Sequence, residues 1–144
     1  MTKTKDTFET FYKLKKVNDK DTIVFIHGVG LNCEMWEEQI NYFKNYNTLV
    51  YDFMGHGQTP LKKSKISFED FTKQLVKLIN ELNLEKIHLV GFSMGALVAR
   101  HFASEHSNRL NSLVIHGSIY QRTEDQQRIV SNRYEVAKMG RPAS

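Results

Sequence analysis

The sequence predicts an α/β fold in which a mostly parallel sheet carries helices on both faces. Short runs of β-branched and apolar residues alternate along the chain with longer stretches that have helical spacing. These runs are continuously apolar, as is typical of strands buried on both faces. Such alternation implies right-handed crossovers, and ligands bind such sheets at the carboxyl ends of the strands.

The first half of the chain predicts three strands and one helix. Residues 8–16 alternate weakly and are typical of an edge strand, and a turn follows at 18–20. The run "TIVFIH" at 22–27 predicts a buried strand, and "TLVYD" at 48–52 predicts another. A helix is expected between them because four large apolar residues recur at helical spacing: Met35, Trp36, Ile40 and Phe43.

The second half predicts two more strands and three helices. The clearest helix covers 67–83, where Ser67 is the expected N-cap and Asp70 lies three positions further on. The remaining elements are expected in this order: a strand at 86–92, a helix at 94–106, a strand at 110–117 and a helix at about 123–138. The last helix has only a thin apolar face.

Composition narrows the class of protein. The chain has 144 residues and a net charge of +4, with 40% hydrophobic and 25% charged residues, as expected for one globular unit. Its lysines are interrupted by acidic residues and accompany no nucleic-acid-binding motif, so we expect a solvated surface rather than a nucleic-acid partner. With Cys33 as the single cysteine, no intramolecular disulfide is possible. The sequence shows neither a signal peptide nor a membrane span, so a cytoplasmic location without a membrane partner is expected.

Three glycine-containing motifs stand where predicted strands end: "HGVG" at 27–30, "DFMGHGQT" at 52–59 and "GFSMG" at 91–95. They hold six of the eight glycines: Gly28, Gly30, Gly55, Gly57, Gly91 and Gly95. Glycine permits positive φ and close backbone approach, so irregular backbone is concentrated at this edge of the sheet. We therefore expect the functional site there.

The third motif has the sequence context of a nucleophile elbow. G-x-S-x-G alone is a weak signal, but here a predicted strand precedes Ser93 and a predicted helix follows it. Gly91 and Gly95 would remove side chains that collide as the chain reverses. The backbone N–H of Met94 would then face an oxyanion, and the N–H of Val29 is the expected second donor.

Together the three motifs resemble those of the α/β-hydrolase superfamily, in particular small bacterial esterases and lactonases. The resemblance covers roughly Asp21 to Gly117, with Thr59 at a position where the family has serine. It implies that Ser93 attacks the carbonyl of a small-molecule acyl substrate, such as an ester or lactone, without a metal or organic cofactor. It also implies that His27, Asp52 and the loop residues Gly55, His56 and Gly57 support the pocket and transfer no proton.

The sequence offers Ser93 no clear general base. The family order is serine, then acid, then histidine. The histidines after Ser93 are His101, His106 and His116, of which the first two are expected to pack or face solvent, whereas His116 could reach the site edge. Glu124 and Asp125 are expected on a solvated helix. For four other residues we expect a structural role rather than a chemical one. His27 and His56 are expected to shape the loops rather than to act as the base. Cys33 is expected to be a small helix residue rather than a nucleophile, and Trp36 a core residue rather than a ligand contact.

The simplest interpretation is that the chain stops where the family's cap begins. Residues 1–118 would form the N-terminal part of a hydrolase core, and residues 119–144 would begin a cap helix. The uncovered sheet edge would then favour self-association. The alternative is a short, non-catalytic binding module of the same fold.

Overall fold

The computed structural model describes residues 2–119 and 121–140. Tyr120 and residues 141–144, which belong to the segment expected to begin a cap, lie outside the described residues. The strands are β1 (Tyr12–Lys15), β2 (Thr22–Ile26), β3 (Thr48–Tyr51), β4 (Ile87–Phe92) and β5 (Leu110–His116). The α-helices are α1 (Glu37–Tyr42), α2 (Phe68–Glu81), α3 (Met94–Glu105) and α4 (Glu124–Lys138), and short 3-10 turns cover Cys33–Trp36 and Ser107–Arg109.

The five strands form one sheet in the order β1-β3-β2-β4-β5. The four strands from β2 to β5 are parallel, and β1 pairs antiparallel with β3 at one edge. This confirms the predicted α/β class and the edge position of the first strand. The order reverses between β2 and β4, so the carboxyl ends of these two strands form the crevice where such sheets bind ligands.

Successive strand residues face opposite sides of the sheet, and different helices cover the two sides. On one side, Val24, Leu49 and Leu89 are fully buried beneath α2 and α3. On the other side, Phe25 and Val50 pack with Trp36 and Phe43 of the α1 region. Helices therefore lie on both faces, as the sequence predicts.

The helix expected between the first two buried strands is shorter than the sequence pattern indicates. The segment begins as a 3-10 turn, and α1 ends at Tyr42. The Asn32 side chain accepts a hydrogen bond from the N–H of Glu34, and the buried Asp52 carboxylate accepts one from the N–H of Cys33. The Asn32 bond is a local N-cap and the Asp52 bond a long-range contact, and together they hold the first turn in its 3-10 form.

The last strand is an edge strand and not a buried one. Its residues are exposed or half-buried, and Val114 retains 51% of its accessible surface. β5 pairs with β4 on one side only, which leaves its outer backbone groups free of partners among the described residues. An uncovered sheet edge is expected from the sequence, and in the described structure no element covers the outer side of β5.

Helix α2 begins at the capping box predicted from its sequence. Ser67 is the N-cap, and the Asp70 carboxylate accepts a hydrogen bond from the Ser67 N–H at 2.9 Å. The Lys63 ammonium donates to the other Asp70 oxygen at 2.8 Å. The bond from Lys63 and the bond from Ser67 lower the pKa of Asp70 to about 2. The charged form of this carboxylate therefore stabilises the start of α2.

Helix α4 also begins with a capping box, between Thr123 and Gln126, but no side chain of α4 is buried. Its exposed apolar residues include Ile129 and Tyr134. Local hydrogen bonds and charge pairs define this helix within the described residues. No helix in the described part of the chain has the length and apolarity needed to cross a bilayer.

Removing the Asp70 charge should destabilise the protein in a pH-dependent way. The pKa of Asp70 is about 2 in the folded protein against an ordinary value of 3.8, so its contribution is present above about pH 4 and is lost as the pH falls toward 2. We expect Asp70→Asn to lower the urea midpoint of unfolding at pH 6, with the difference from wild type closing near pH 2. Asp19→Asn, at an exposed aspartate, is the control; a difference independent of pH would contradict this account.

Candidate active site

The turn between β4 and α3 holds Ser93 in a strained conformation. Its φ of 56° and ψ of −116° lie in a sparsely populated region that costs a serine on the order of 1–3 kcal/mol. Two contacts hold it there: the Ser93 N–H donates to the carbonyl of His116 at 2.9 Å, and the Ser93 carbonyl accepts from the N–H of Ala96 at 3.0 Å. The strain is thus supported by β5 and by the first turn of α3.

Gly91 and Gly95 are required because backbone segments cross here at very short range. A Cβ at Gly91 would lie 2.8 Å from the Cα of Ala96, and a Cβ at Gly95 would lie 2.5 Å from the carbonyl oxygen of His27. Both distances are shorter than a carbon atom tolerates. The two glycines therefore allow the start of α3 to rest directly on the ends of β4 and β2.

The Ser93 side chain stands at the positive end of α3. Its residue is only half-buried, and its Oγ has no hydrogen-bond partner among the described residues. The N-terminal N–H groups of a helix attract negative charge, so the position favours an anionic group. This matches the geometry expected of an elbow that presents a hydroxyl at the top of the sheet.

The loop after β2 runs beside this turn. A Cβ on Gly28 would lie 3.3 Å from the Cβ of Ser93, so no larger residue fits between them without displacement. Gly30 has a φ of 74°, and the N–H of Leu31 donates to the Gly28 carbonyl at 3.2 Å. Val29, at the tip, keeps 65% of its surface exposed. Neither the N–H of Val29 nor that of Met94 donates to an acceptor within residues 2–119 and 121–140.

His27 is a buried connector between the first two motifs. Its Nδ1–H donates to the Gly28 carbonyl at 2.7 Å, and its Nε2 accepts from the N–H of Phe53 at 3.0 Å. Burial lowers the pKa of His27, so the ring is neutral at neutral pH. With both ring nitrogens occupied by backbone groups, the imidazole shapes the loops, in agreement with the interpretation of it as a structural residue.

Asp52 anchors the second motif to the first. Its carboxylate accepts from the N–H of Cys33 at 2.7 Å and from the N–H of Gln58 at 2.8 Å. Gly57, at a φ of 50°, faces this carboxylate so closely that a Cβ would overlap it. The side chain of Thr59 continues the network, since its hydroxyl donates to the Asp52 carbonyl at 2.9 Å and accepts from the N–H of Phe11.

His56 and Gly55 complete the second loop. The His56 Nδ1 lies 3.1 Å from the carbonyl of Met54, and the ring centroids of His56 and His27 are 5.3 Å apart. Gly55 has a φ of 74°, and its N–H donates to the Thr59 carbonyl. His56 is half-buried and therefore lies nearer to solvent than His27.

Gln74 is a supporting residue that the sequence reasoning missed. Its fully buried amide accepts from the N–H of Met54 at 3.1 Å and donates to the Asp52 carbonyl at 3.0 Å and to Thr10 Oγ1 at 2.9 Å. It links α2 to the second loop and to the N-terminal segment. In the sequence, Gln74 stands out only as a polar residue inside an apolar stripe, next to Leu75 and three positions after Phe71.

No imidazole of the three histidines after Ser93 is hydrogen-bonded to it. His101 packs against α2, where its Nδ1 lies 2.7 Å from Thr72 Oγ1, and its Nε2 lies 3.4 Å from Glu105. The His106 ring lies 5.1 Å from that of Phe102. The ring of His116 stacks on Phe92 at 5.5 Å, and the hydrogen bond between His116 and Ser93 is made by the main chain.

The remaining candidate residues are two carboxylates of α4, Trp36 and Cys33. Glu124 and Asp125 are exposed in the first turn of α4, where Asp125 pairs with Arg128 at 3.6 Å. Trp36 is buried against Phe25, with ring centroids 5.0 Å apart. Burial, with Asp52 acting in the same direction, raises the pKa of the Cys33 thiol to about 12. Cys33 is therefore protonated and unreactive at neutral pH.

Comparison with known families identifies the family of this fold. A family model described as "alpha/beta hydrolase fold" matches residues 21–134. The chain belongs to the α/β-hydrolase family. The resemblance inferred from the three motifs is thereby confirmed, together with the fold class.

Individual α/β-hydrolases show how much of such a protein the chain represents. It is 32% identical over 121 residues to (E)-2-((N-methylformamido)methylene)succinate hydrolase of Acinetobacter baylyi, covering 83% of this chain and 46% of that protein. It is 26% identical over 98 residues to 3-oxoadipate enol-lactonase 2 of the same species, covering 67% and 37%. A thermophilic esterase from Thermogutta terrifontis superposes with a TM-score of 0.79 at 26% identity, covering 95% and 51%. The chain thus spans about half the length of these relatives or less.

Gly95→Ala tests the close crossing at the elbow. Alanine is favoured over glycine inside a helix by roughly 0.5–1 kcal/mol, but its Cβ would collide with the carbonyls that end β2. We expect a net loss of about 3 kcal/mol in the free energy of unfolding, measured by urea denaturation. Ser104→Ala, exposed on the same helix, should change it by less than about 0.5 kcal/mol. A neutral or stabilising effect of Gly95→Ala would show that the crossing is looser than described.

Ser93→Cys tests the exposure and electrostatics of position 93. A thiol at a helix N-terminus has a lowered pKa, so iodoacetamide should alkylate position 93 at least about tenfold faster than the buried Cys33. Peptide mapping by mass spectrometry separates the two thiols. Ser104→Cys, exposed later in the same helix, separates simple exposure from activation, because its rate should rise at higher pH than that of position 93. Equal pH profiles at positions 93 and 104 would contradict activation by the helix.

Proposed function

We propose that this chain carries the nucleophile half of a serine hydrolase that acts on carboxylic esters, lactones or similar acyl substrates. The observation that supports this most directly is the strained Ser93, whose Oγ is free at the N-terminus of α3. Strain of this kind persists only where surrounding contacts impose it, and it concentrates at functional positions. The names of the relatives, a hydrolase, an enol-lactonase and an esterase, support acyl transfer as the reaction class.

In the proposed reaction, Ser93 Oγ attacks the carbonyl carbon of the substrate and gives its proton to a general base. The N–H groups of Val29 and Met94 donate to the oxyanion of the tetrahedral intermediate. Neither N–H donates to an acceptor in the described part of the chain, which is the state that an oxyanion hole requires. The intermediate then expels the alcohol, which takes up the proton, and water hydrolyses the acyl-enzyme by the same steps.

The other site residues hold this geometry in our proposal. His27 and Asp52 connect the first loop to the second by hydrogen bonds to backbone groups. Gly28 leaves room beside the nucleophile, and Gly91 and Gly95 permit the elbow. His27 is unsuited to be the base, because both of its ring nitrogens are already engaged.

The general base and its orienting acid are assigned to polypeptide outside the described residues. No imidazole within residues 2–119 and 121–140 is hydrogen-bonded to Ser93 Oγ. The relatives contain about as much chain again as this one, which leaves room for both groups. We further propose that residues 1–118 belong to the hydrolase core and that residues 119–144, which include α4, begin its cap.

Chemical rescue tests the role of Ser93 in the chain itself. Without a base, we expect a fluorophosphonate probe to leave Ser93 unlabelled; added imidazole should then accept the proton and permit labelling at Ser93, located by peptide mapping. Ser93→Ala and urea-unfolded protein should not be labelled at this peptide, and Ser104→Ala should behave as wild type.

Two outcomes would count against this assignment. Labelling spread over several serines, or no labelling of Ser93 in the presence of imidazole, would remove Ser93 as the nucleophile. Either result would favour the non-catalytic binding module. Rapid ester turnover by the chain without imidazole, lost in Ser93→Ala, would show that a base lies within the chain. Turnover that is also lost in His116→Ala would identify that base.

A further inference from the structure

A groove between α2 and α3 places an imidazole beside carboxylates. It encloses about 540 Å³ and is lined on α2 by Glu69 and Thr72, and on α3 and its end by His101, Glu105 and His106. Glu69 and Glu105 are exposed, and both imidazoles are half-buried. Two helices therefore contribute groups that can bind a cation to one solvent-accessible groove.

The ring of His101 is held in one orientation. Its Nδ1 lies 2.7 Å from Thr72 Oγ1, and it packs edge to face with Phe68 at a centroid distance of 5.7 Å. Thr72 is buried, whereas the His101 side chain keeps 24% of its surface exposed. Because the hydroxyl oxygen can accept from an Nδ1–H, the lone pair of the neutral ring is then on Nε2. A histidine that binds a metal has this arrangement, with one nitrogen anchored by a hydrogen bond and the other available.

The available nitrogen lies beside a carboxylate at the spacing of two ligands on one metal ion. The distance from His101 Nε2 to Glu105 Oε1, one turn further along α3, is 3.4 Å. A charge-assisted hydrogen bond is shorter, at about 2.7–2.9 Å. An imidazole nitrogen and a carboxylate oxygen that share a tetrahedral zinc ion, each with a bond of about 2.1 Å, are about 3.4 Å apart. The two side chains are therefore already spaced for a common cation.

The charges around this pair favour a cation on balance. Hydrogen bonds from its own backbone N–H and from the Ser67 hydroxyl lower the pKa of Glu69, and His101 acts in the same direction. Glu69 therefore adds a second negative charge to that of Glu105, while Lys73 on the same groove opposes them. No three histidine, cysteine, aspartate or glutamate side chains converge in the part of the chain that the structure describes. The protein would thus supply two ligands, and water the remaining ones.

We infer that His101 and Glu105 form a binding site for a divalent cation of the zinc type, in which Thr72 orients the imidazole. One nitrogen and one carboxylate oxygen suit zinc, copper or nickel, whereas magnesium and calcium prefer oxygen ligands throughout. His101 lies eight residues after Ser93, about 12 Å further along α3. The cation is therefore separate from the reaction proposed for Ser93 and stabilises the end of α3 and its contact with α2.

Titration of the tag-free 144-residue chain with zinc chloride in a calorimeter tests this site at about pH 7.5, where an ordinary imidazole is neutral. We expect one zinc ion to bind per chain. His101→Ala and Glu105→Gln should each weaken the affinity at least about tenfold, because each removes one of two protein ligands. His106→Ala is the matched control in the same groove, where its ring lies on Phe102, and should leave the affinity unchanged.

Thr72→Val tests the orientation of the ring separately. Valine keeps the shape of the buried threonine but cannot accept from Nδ1, so the zinc affinity should fall about tenfold. Circular dichroism without zinc establishes that each variant is folded. Zinc should also raise the midpoint of thermal unfolding of the wild type and leave that of His101→Ala unchanged, because a ligand stabilises only the state that binds it.

Three results would overturn the site. The first is the absence of saturable zinc binding, and the second is an equal loss of affinity in His101→Ala and His106→Ala. The third is binding that survives both ligand substitutions, since another group, such as the Cys33 thiol, would then hold the ion. An unchanged affinity in Thr72→Val would contradict the orienting role of Thr72. Labelling of Ser93 is measured independently of zinc, so its failure would leave the cation site intact.

Discussion

The candidate site depends on one close contact, where the first turn of α3 rests on the carbonyl groups that end β2. Only glycine at position 95 permits this approach, and only glycine at position 91 permits the turn that leads into it. Once the helix starts there, the connecting residue Ser93 is forced to a positive φ, and its Oγ is left at the helix N-terminus. The close packing of α3 on β2 therefore places the hydroxyl of the half-buried Ser93 at a helix N-terminus, where the field favours negative charge.

A second layer of buried polar groups fixes the loops around this crossing. Asp52, His27 and Gln74 each satisfy backbone groups from segments distant in sequence. A buried polar network of this kind stabilises a structure only when its members are paired, because an unpaired N–H or carboxylate would cost a large part of the stability of a domain this size. The side chains of His27 and Asp52 are therefore occupied by backbone groups of the neighbouring loops.

Sequence alone predicted the features that depend on local pattern. The α/β class, the capping box at Ser67 and the bounds of α2 and α3 to within two residues follow from periodicity and residue type. It also placed the three motifs at one edge, because parallel strands share the direction of their carboxyl ends. The roles of individual residues needed distances: the two bonds of the His27 ring, and the buried amide of Gln74 inside an apolar stripe.

The sequence pattern alone does not predict features that depend on contacts between distant segments. One long-range hydrogen bond, from the Cys33 N–H to Asp52, joins the local Asn32 cap in holding the first turn of the expected helix as a 3-10 turn. The apolar sequence of β5 resembles that of a core strand, and its exposure agrees with the uncovered sheet edge expected from the sequence. The same apolar pattern therefore occurs in a core strand and in an exposed edge strand, because burial depends on which elements are present to cover it.

The most direct test of the central claim is a crystal structure of the chain soaked in bromide, since it needs neither a general base nor a second segment. We expect Ser93 to keep its positive φ in that crystal. We also expect an anomalous peak for bromide within hydrogen-bonding distance of the N–H groups of Val29 and Met94, beside Ser93 Oγ. A Ser93 with ordinary helical or extended backbone, or an elbow without bromide while other helix N-termini hold it, would contradict the assignment of this turn as the nucleophile and oxyanion site.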